Sequence, residues 1–283
     1  MTYGVRMGER PDPSRWKNER RWLRRGPGSL YRRAQTWRFL LGRDRAAALA
    51  FLRADYPLPL PLGRRLRLLR QLMRVSDALR GYHTLEEILR VGDRILRLAH
   101  RRDLLVVEVG AGSGASTAKL SLFVELAGGR LLVFDTFQGI PENDERHHLL
   151  DGRELRFMKG AFRGRLGAVR RRVARFGAIE RCEFHKGLAQ QTLPLGVPGA
   201  VDVALLDVDL VASTEACVAH LMPRLRAGGR IFSQDGHLRA THALLADPAF
   251  WSERVGMTRP RIDGLLERVE PGSQGKLLEV HPG

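Results

Sequence analysis

Val106-Val-Glu-Val-Gly-Ala-Gly-Ser-Gly-Ala-Ser-Thr117 carries more information about the architecture of this chain than any other segment. An apolar run from Leu104 to Val109 ends in three glycines at alternate positions, Gly110, Gly112 and Gly114, and Ser116 or Thr117 then stands near the start of a helix. Glycine lets a backbone turn sharply and lets a ligand come close to the main chain. The helix N-terminus behind it offers unbonded N–H groups to an anionic group. The pattern predicts a strand–turn–helix cradle for a nucleotide-like cofactor. Two cofactor classes fit it. Gly110, Gly112 and Ala115 satisfy the G-x-G-x-x-G/A pattern of dinucleotide-binding folds. Glu108 and Gly114 extend the same residues into an E-x-G-x-G-x-G run. Asp135 ends a second strand-like run, Leu131-Leu-Val-Phe-Asp, 27 residues after Glu108, and suits ribose hydroxyls in either class.

Outward from the cradle, strand-like runs at 104–109, 130–135, 181–186, 201–207 and 230–234 alternate with helical stretches such as 165–176 and 214–226. Alternation of this kind predicts a Rossmann-like, doubly wound α/β sheet, mostly parallel, with helices on both faces. The end of the chain differs. Arg261 to Val269, a Pro271-Gly-Ser-Gln-Gly turn and Lys276 to Val280 predict a C-terminal antiparallel hairpin. Before the cradle lies an N-terminal helical appendage. Leu30, Ala34, Trp37 and Leu41 recur at helical spacing after Ser29, and helices are predicted over 64–79 and 84–98. The alternate prolines of Tyr56-Pro-Leu-Pro-Leu-Pro-Leu-Gly63 predict an extended link between them. Three segments result: a basic, proline-punctuated tail (1–28), a helical region with lid and dimer contacts (29–100), and a cofactor domain (101–283).

Composition narrows the class. A chain of 283 residues with 43% hydrophobic content suits one large α/β domain with an appendage. No stretch approaches the roughly 20 apolar residues of a membrane span, and the N-terminus has no apolar signal core. Cys182 and Cys217 read as structural thiols, and the cytoplasm is the expected location. The net charge of +17 is uneven. Residues 1–80 hold 20 Lys and Arg against 6 Asp and Glu, whereas the remaining 203 hold 28 against 25. Trp16, Trp22 and Trp37 lie among those arginines, a mixture that can bind nucleic acid or lie on an anionic membrane. No base-reading motif such as Asn-Pro-Pro-Tyr accompanies it, so nucleic acid is not the expected partner.

The later motifs choose between the cofactors. The E-x-G-x-G-x-G run resembles the first motif of class I S-adenosylmethionine-dependent methyltransferases. Asp135-Thr-Phe-Gln-Gly-Ile-Pro141 resembles the segment after the second strand in the macrocin O-methyltransferase family. Phe184-His-Lys-Gly187 with Gln191-Thr-Leu-Pro194 is similar to the segment after its third strand. Asp207-Val-Asp-Leu-Val-Ala-Ser-Thr214 resembles its Asp-Gly-Asp-Leu-Tyr-x-Ser-Thr motif, and His220 to Gly229 resembles its helix and double-glycine turn. The similarity covers about residues 80 to 240.

The resemblance implies an O-methyltransferase acting on a sugar hydroxyl of a small natural product, working as a homodimer. It implies that Glu108, Gly110, Gly112, Gly114 and Ser116 approach S-adenosylmethionine, and that Asp135, Thr136 and Phe137 surround its ribose. Gly187 and Leu188 would border the adenine, with Asp207 beside the reacting end. It further implies that Asp207 and Asp235, as hard oxygen donors, hold Mg²⁺, which would stabilise the acceptor alkoxide. Here the chain departs from the family: Gln234-Asp235-Gly236 stands where Asp-Asp-Tyr is usual, so an amide oxygen from Gln234 replaces one metal carboxylate, with His237 close by. His147 and His148, in the loop after Pro141, are the candidate general bases, since an unperturbed histidine titrates near pH ~6.5; the other reading is a solvated pair. Two further functions stay open, an RNA-binding or RNA-modifying methyltransferase and a non-catalytic S-adenosylmethionine-binding subunit.

Overall fold

A computed structural model describes residues 41–42, 44–267, 275 and 277–282. The tail at 1–28, the helix expected after Ser29 and the Pro271–Gly275 turn, except for Gly275 itself, lie outside the described residues.

Three helices precede the sheet: α1 (Arg45–Arg53), α2 (Leu62–Ala78) and α3 (Leu85–Arg97). The proline-rich link between α1 and α2 is non-helical, as its sequence predicts. The link is fastened by Arg65, whose guanidinium donates to the carbonyls of Phe51 (3.2 Å), Leu52 (3.0 Å), Ala54 and Leu60 (2.7 Å). These include the carbonyls that the end of α1 leaves unbonded. α3 starts on a reciprocal cap: Thr84 Oγ accepts from Glu87 N, and the Glu87 carboxylate accepts from Thr84 N. Its apolar stripe, Ile88, Leu89, Val91 and Ile95, is buried against the sheet helices.

The main sheet holds β1 (Leu105–Val109), β2 (Arg130–Asp135), β5 (Cys182–Lys186), β6 (Val201–Leu206), β7 (Leu225–Ser233), β8 (Ile262–Asp263) and β9 (Leu278–Val280). Their order is β5-β2-β1-β6-β7-β9-β8. The first five are parallel, and β9 runs antiparallel to β7 and β8. The expected antiparallel end is present, although its strands are shorter than the sequence runs. β7 begins at Leu225, before the double glycine, with a register shift against β6 at Val201–Val203. A two-stranded ribbon, β3 (His147–His148) with β4 (Glu154–Leu155), lies outside the main sheet, and no alternating pattern announced it.

Helices α4 (Ala115–Ala127), α5 (Leu166–Phe176), α6 (Ala189–Gly196), α7 (Val211–Leu221) and α8 (Arg239–Ala246) and a π-helical turn at Phe250–Val255 complete the chain. β1 shows why both faces are covered. Leu105, Val107 and Val109 enter one core with α6, α7 and the π-turn, while Val106 enters the other with α1 to α5. β1 is central, with β2 and β5 on one side and β6 and β7 on the other. In open α/β sheets the crevice beyond such a reversal of strand order is the ligand site. Among the described residues no helix is long and apolar enough to cross a membrane.

Candidate cofactor and acceptor site

The cradle sits at that reversal. Gly110 has φ +95°, and a Cβ there would lie 1.9 Å from the Asp207 carbonyl oxygen. The loops leaving β1 and β6 therefore touch through a glycine, and Asp207 N donates to Val109 O at 2.9 Å. Gly114, at φ +85°, opens α4, and a side chain there would meet Val169 Cγ1 at 2.9 Å. Gly112 differs from both: its nearest obstacle is Phe162 O at 3.7 Å, which leaves the space a ligand needs.

Asp135, at the end of β2, reaches across to the cradle. Its Oδ2 accepts from Ala111 N (2.8 Å) and Gly112 N (2.9 Å), and its Oδ1 accepts from Phe137 N. Burial pushes its pKa up, and those three amides pull it back. Two carboxylate oxygens offer about four acceptor positions, so about one remains open beside the three amides. Phe137 itself is buried at φ +53°, and the Thr136 hydroxyl donates to Gly139 O at 2.7 Å. Gly187 N donates to Asp135 O at 3.0 Å, which brings Gly187 and Leu188 to the same strand ends.

Glu108 points into the α4 face of β1 and is 0% exposed. Burial raises its pKa to about 7, although the hydroxyls of Ser116 and Thr117 pull the other way. Neither oxygen has a hydrogen-bond partner of good geometry among the described residues. A buried polar group left this way costs free energy unless a ligand or water completes it. Ser116, at 5% exposure, faces it from the first turn of α4.

Beside the cradle the structure gathers Asp207, Asp209 and Asp235, each with a carboxylate oxygen within 4.8 Å of the others'. Asp207 and Asp235 were expected from the sequence. Asp209 was passed over as a ligand, and the signal that would have found it is its two-residue spacing from Asp207. It reaches the group because its backbone takes φ +62°, a left-handed conformation that aspartate tolerates better than most residues. Val208 N donates to Asp235 Oδ2 at 3.3 Å. Burial, then the neighbouring carboxylates, hold Asp207 and Asp209 well above the usual carboxylate range, and burial raises Asp235 too. Asp235 Oδ1 and Gln234 Oε1 are buried without a partner among the described residues. Three crowded, desolvated carboxylates with an unbonded oxygen suit a hard divalent cation.

Residues 136–163, the lid segment, pack against the loops after β1, β6 and β7, whereas the sequence places a lid in the helical region 29–100. Tyr82, Phe162, Phe157 and His147 make a chain of ring contacts at 5.1, 6.1 and 5.1 Å, and Tyr82 is 61% exposed at its open end. Burial, an arginine at Arg80, and the carboxylates of Asp209 and Asp207 all act on the Tyr82 hydroxyl, with the net shift upward. The chain leaving this segment touches the cradle at Gly164, where a Cβ would lie 1.6 Å from Gly112 O. His147 is 1% exposed, packed on Phe157 and 3.4 Å from Glu145, while its neighbour His148 is exposed. The two histidines therefore do not share one environment.

A glycine cradle and strand-end carboxylates, set side by side on a sheet of this order, define an α/β protein with the methyltransferase fold. The chain belongs to the macrocin O-methyltransferase family: the family model described as Macrocin-O-methyltransferase (TylF) matches residues 78–251. It is 32% identical over 167 residues to the 8-demethyl-8-(2,3-dimethoxy-alpha-L-rhamnosyl)-tetracenomycin-C 4'-O-methyltransferase of Streptomyces olivaceus. That alignment takes in 56% of this chain and 62% of the relative, so the chain spans less than two thirds of the relative's length. The structure of the calicheamicin methyltransferase CalS11 matches with a TM-score of 0.50 at 14% identity, over 91% of this chain and 94% of that one. The O-methyltransferase NovP matches with a TM-score of 0.43 at 23% identity, over 54% of this chain and 67% of that one.

Proposed function

We propose that this protein transfers a methyl group from S-adenosylmethionine to a sugar hydroxyl of a natural product, a deoxysugar carried on a polyketide-type aglycone being the acceptor class. The observation that carries the reading is the contact between Gly110 and Asp207, which sets the nucleoside cradle directly against the carboxylate trio. Membership of the family and the tetracenomycin-rhamnoside relative support the acceptor class.

The cofactor, when bound, supplies an electrophilic methyl group on its sulfonium. The chain's residues have three tasks. The cradle and Asp135 bind and orient the nucleoside, because Gly112 leaves its backbone open and Asp135 keeps an acceptor position free. The trio handles the acceptor hydroxyl, a poor nucleophile until its proton leaves. Asp207, Asp209 and Asp235 would also hold a divalent cation, which stabilises an alkoxide and orients it. Without a cation, burial and crowding favour the protonated forms of Asp207 and Asp209; a bound cation would keep them ionised and lower the proton affinity of the acceptor hydroxyl itself. His147, buried on Phe157, has no open face for taking that proton. The lid segment and Tyr82 would border the acceptor and orient it, and orientation is a large share of the gain in such transfers.

Calorimetry with S-adenosylhomocysteine, followed by mass spectrometry of a rhamnosylated aromatic polyketide incubated with S-adenosylmethionine and Mg²⁺, tests the reading. The expected results are binding and a gain of one methyl group on the sugar. Absence of S-adenosylhomocysteine binding would sink it.

A further inference from the structure

Helix α7 starts immediately after the acidic motif. Its first amides have no partner within the helix, and its capping position is Leu210, whose side chain has no acceptor. Glu145, 66 residues earlier in the lid, does what Leu210 cannot. Its Oε2 accepts from Val211 N at 2.8 Å, and its Oε1 accepts from Ala212 N at 3.2 Å. A carboxylate at a helix N-terminus is favoured both by these bonds and by the partial positive charge of the aligned peptides. His147 Nε2, itself buried, lies 3.4 Å from the same Oε2, while the Glu145 side chain stays partly exposed.

What lies between Asp207 and Val211 gives this cap its consequence. Asp209 holds φ +62°, a left-handed conformation that aspartate tolerates and that its flanking contacts fix in place. On one side the Asp207 backbone is pressed against Gly110. On the other, Val211 and Ala212 are held by Glu145. The lid is also fastened to the second acid-bearing loop, where Leu150 N donates to His237 O at 3.1 Å and Leu149 bridges Leu238. Both loops that carry the trio are thus tied to the lid, and Glu145 is the tie to the loop that carries two of its three members.

We infer that Glu145 is a positioning residue: by capping α7 from the lid segment it fixes Asp207 and Asp209 in the geometry that handles the acceptor hydroxyl, so that the packing of this segment and the assembly of the carboxylate trio depend on one contact. This rests on the methyl-transfer reading above. It makes no use of Glu145 as a ligand or base, since both its oxygens are occupied by amides.

The full chain is studied as Glu145→Ala and Glu145→Gln beside the wild type. Four measurements are made on each: S-adenosylhomocysteine affinity, Mn²⁺ affinity by electron paramagnetic resonance, kcat and KM on the rhamnosylated acceptor, and hydrogen exchange over residues 205–214. Losing a group that orients metal ligands typically costs ~10–100-fold in metal affinity or activity. Glu145→Ala should therefore lose about that much in Mn²⁺ affinity and in kcat, with S-adenosylhomocysteine affinity within about twofold and faster exchange at 207–212. Glu145→Gln keeps one amide acceptor and should recover a large part of the kcat loss. Unchanged exchange and Mn²⁺ affinity in Glu145→Ala would overturn the inference, as would a parallel loss of cofactor binding, which is the mark of general unfolding. A wild type that neither binds Mn²⁺ nor methylates, while Glu145→Ala still loosens 207–212, would instead count against the functional reading and leave the coupling standing.

Discussion

Replacing Gly110 by alanine tests the contact on which the site is built. The new methyl carbon would lie 1.9 Å from the Asp207 carbonyl oxygen, where ordinary van der Waals contact begins at 3.4 Å, so the two loops must part by about 1.5 Å. Two costs add. A non-glycine residue at φ +95° is strained by roughly 1–2 kcal/mol. Overpacking of a close-packed site adds about 1–3 kcal/mol. The sum, about 2–5 kcal/mol, corresponds to a fall in Tm on the order of 5–15 °C for a domain of this size. Parting the loops also moves the amides of Ala111 and Gly112 away from Asp135, so affinity for S-adenosylhomocysteine should fall at least ~10-fold, about 1.4 kcal/mol. Gly112→Ala is the control. Its φ is +48° and its nearest obstacle is 3.7 Å away, so its stability cost should be the conformational ~1–2 kcal/mol alone. Its cofactor affinity should still fall, because the open space would be filled. Differential scanning fluorimetry and calorimetry on both variants decide the matter. A Gly110→Ala protein with wild-type Tm and affinity would refute the claim that the β1 and β6 loops meet through this glycine.

Three other outcomes follow from the site. Glu108 titrates at about 7 instead of 4.5, so the folded state binds its proton more tightly than the unfolded chain, and the stability tied to this group falls as pH rises from 4.5 through 7. Glu108→Gln should therefore stabilise the cofactor-free protein by on the order of 3 kcal/mol at pH 8 and leave it unchanged near pH 4; urea melts showing an equal effect at both pH values would contradict this. Asp209→Asn, which removes one of three crowded carboxylates, should weaken Mn²⁺ binding and turnover while sparing S-adenosylhomocysteine, and Mn²⁺ titration by electron paramagnetic resonance would expose a failure. Asp135→Ala leaves the amides of Ala111, Gly112 and Phe137 without their acceptor. Calorimetry should show S-adenosylhomocysteine affinity down by ~10-fold or more, since two or three charge-assisted bonds organise the loop.

Much of this protein is legible in its chain. Strand–helix alternation from residue 104 onward, the glycine run, the acidic end of β2 and the capping pair Thr84 and Glu87 are local signals. Each lies within one element or one turn, where periodicity and backbone propensity act. They determine the α/β sheet, the position of the cradle and the order of motifs that marks the family. Even the antiparallel end follows from two short apolar runs with a Pro-Gly sequence between them.

Other features exist only between distant residues. That Gly110 must be glycine because of Asp207, 97 residues later, is a packing fact. Gly164 is held to the same requirement by Gly112, and nothing around Phe162-Arg-Gly-Arg165 signals it. Asp209 joins Asp207 and Asp235 through a left-handed turn, and no composition rule assigns that turn to this aspartate. His147 and His148 are identical neighbours in the sequence, yet the short ribbon buries the first and exposes the second, because adjacent side chains of a strand point to opposite faces. Glu145 reads as one more charge in a polar loop until α7 is seen to begin beneath it. Local signals in the chain set the elements and the chemistry available at their ends. Which of those ends meet is settled by packing, since contact across long separations depends on how whole layers pack and leaves no periodic trace in the chain.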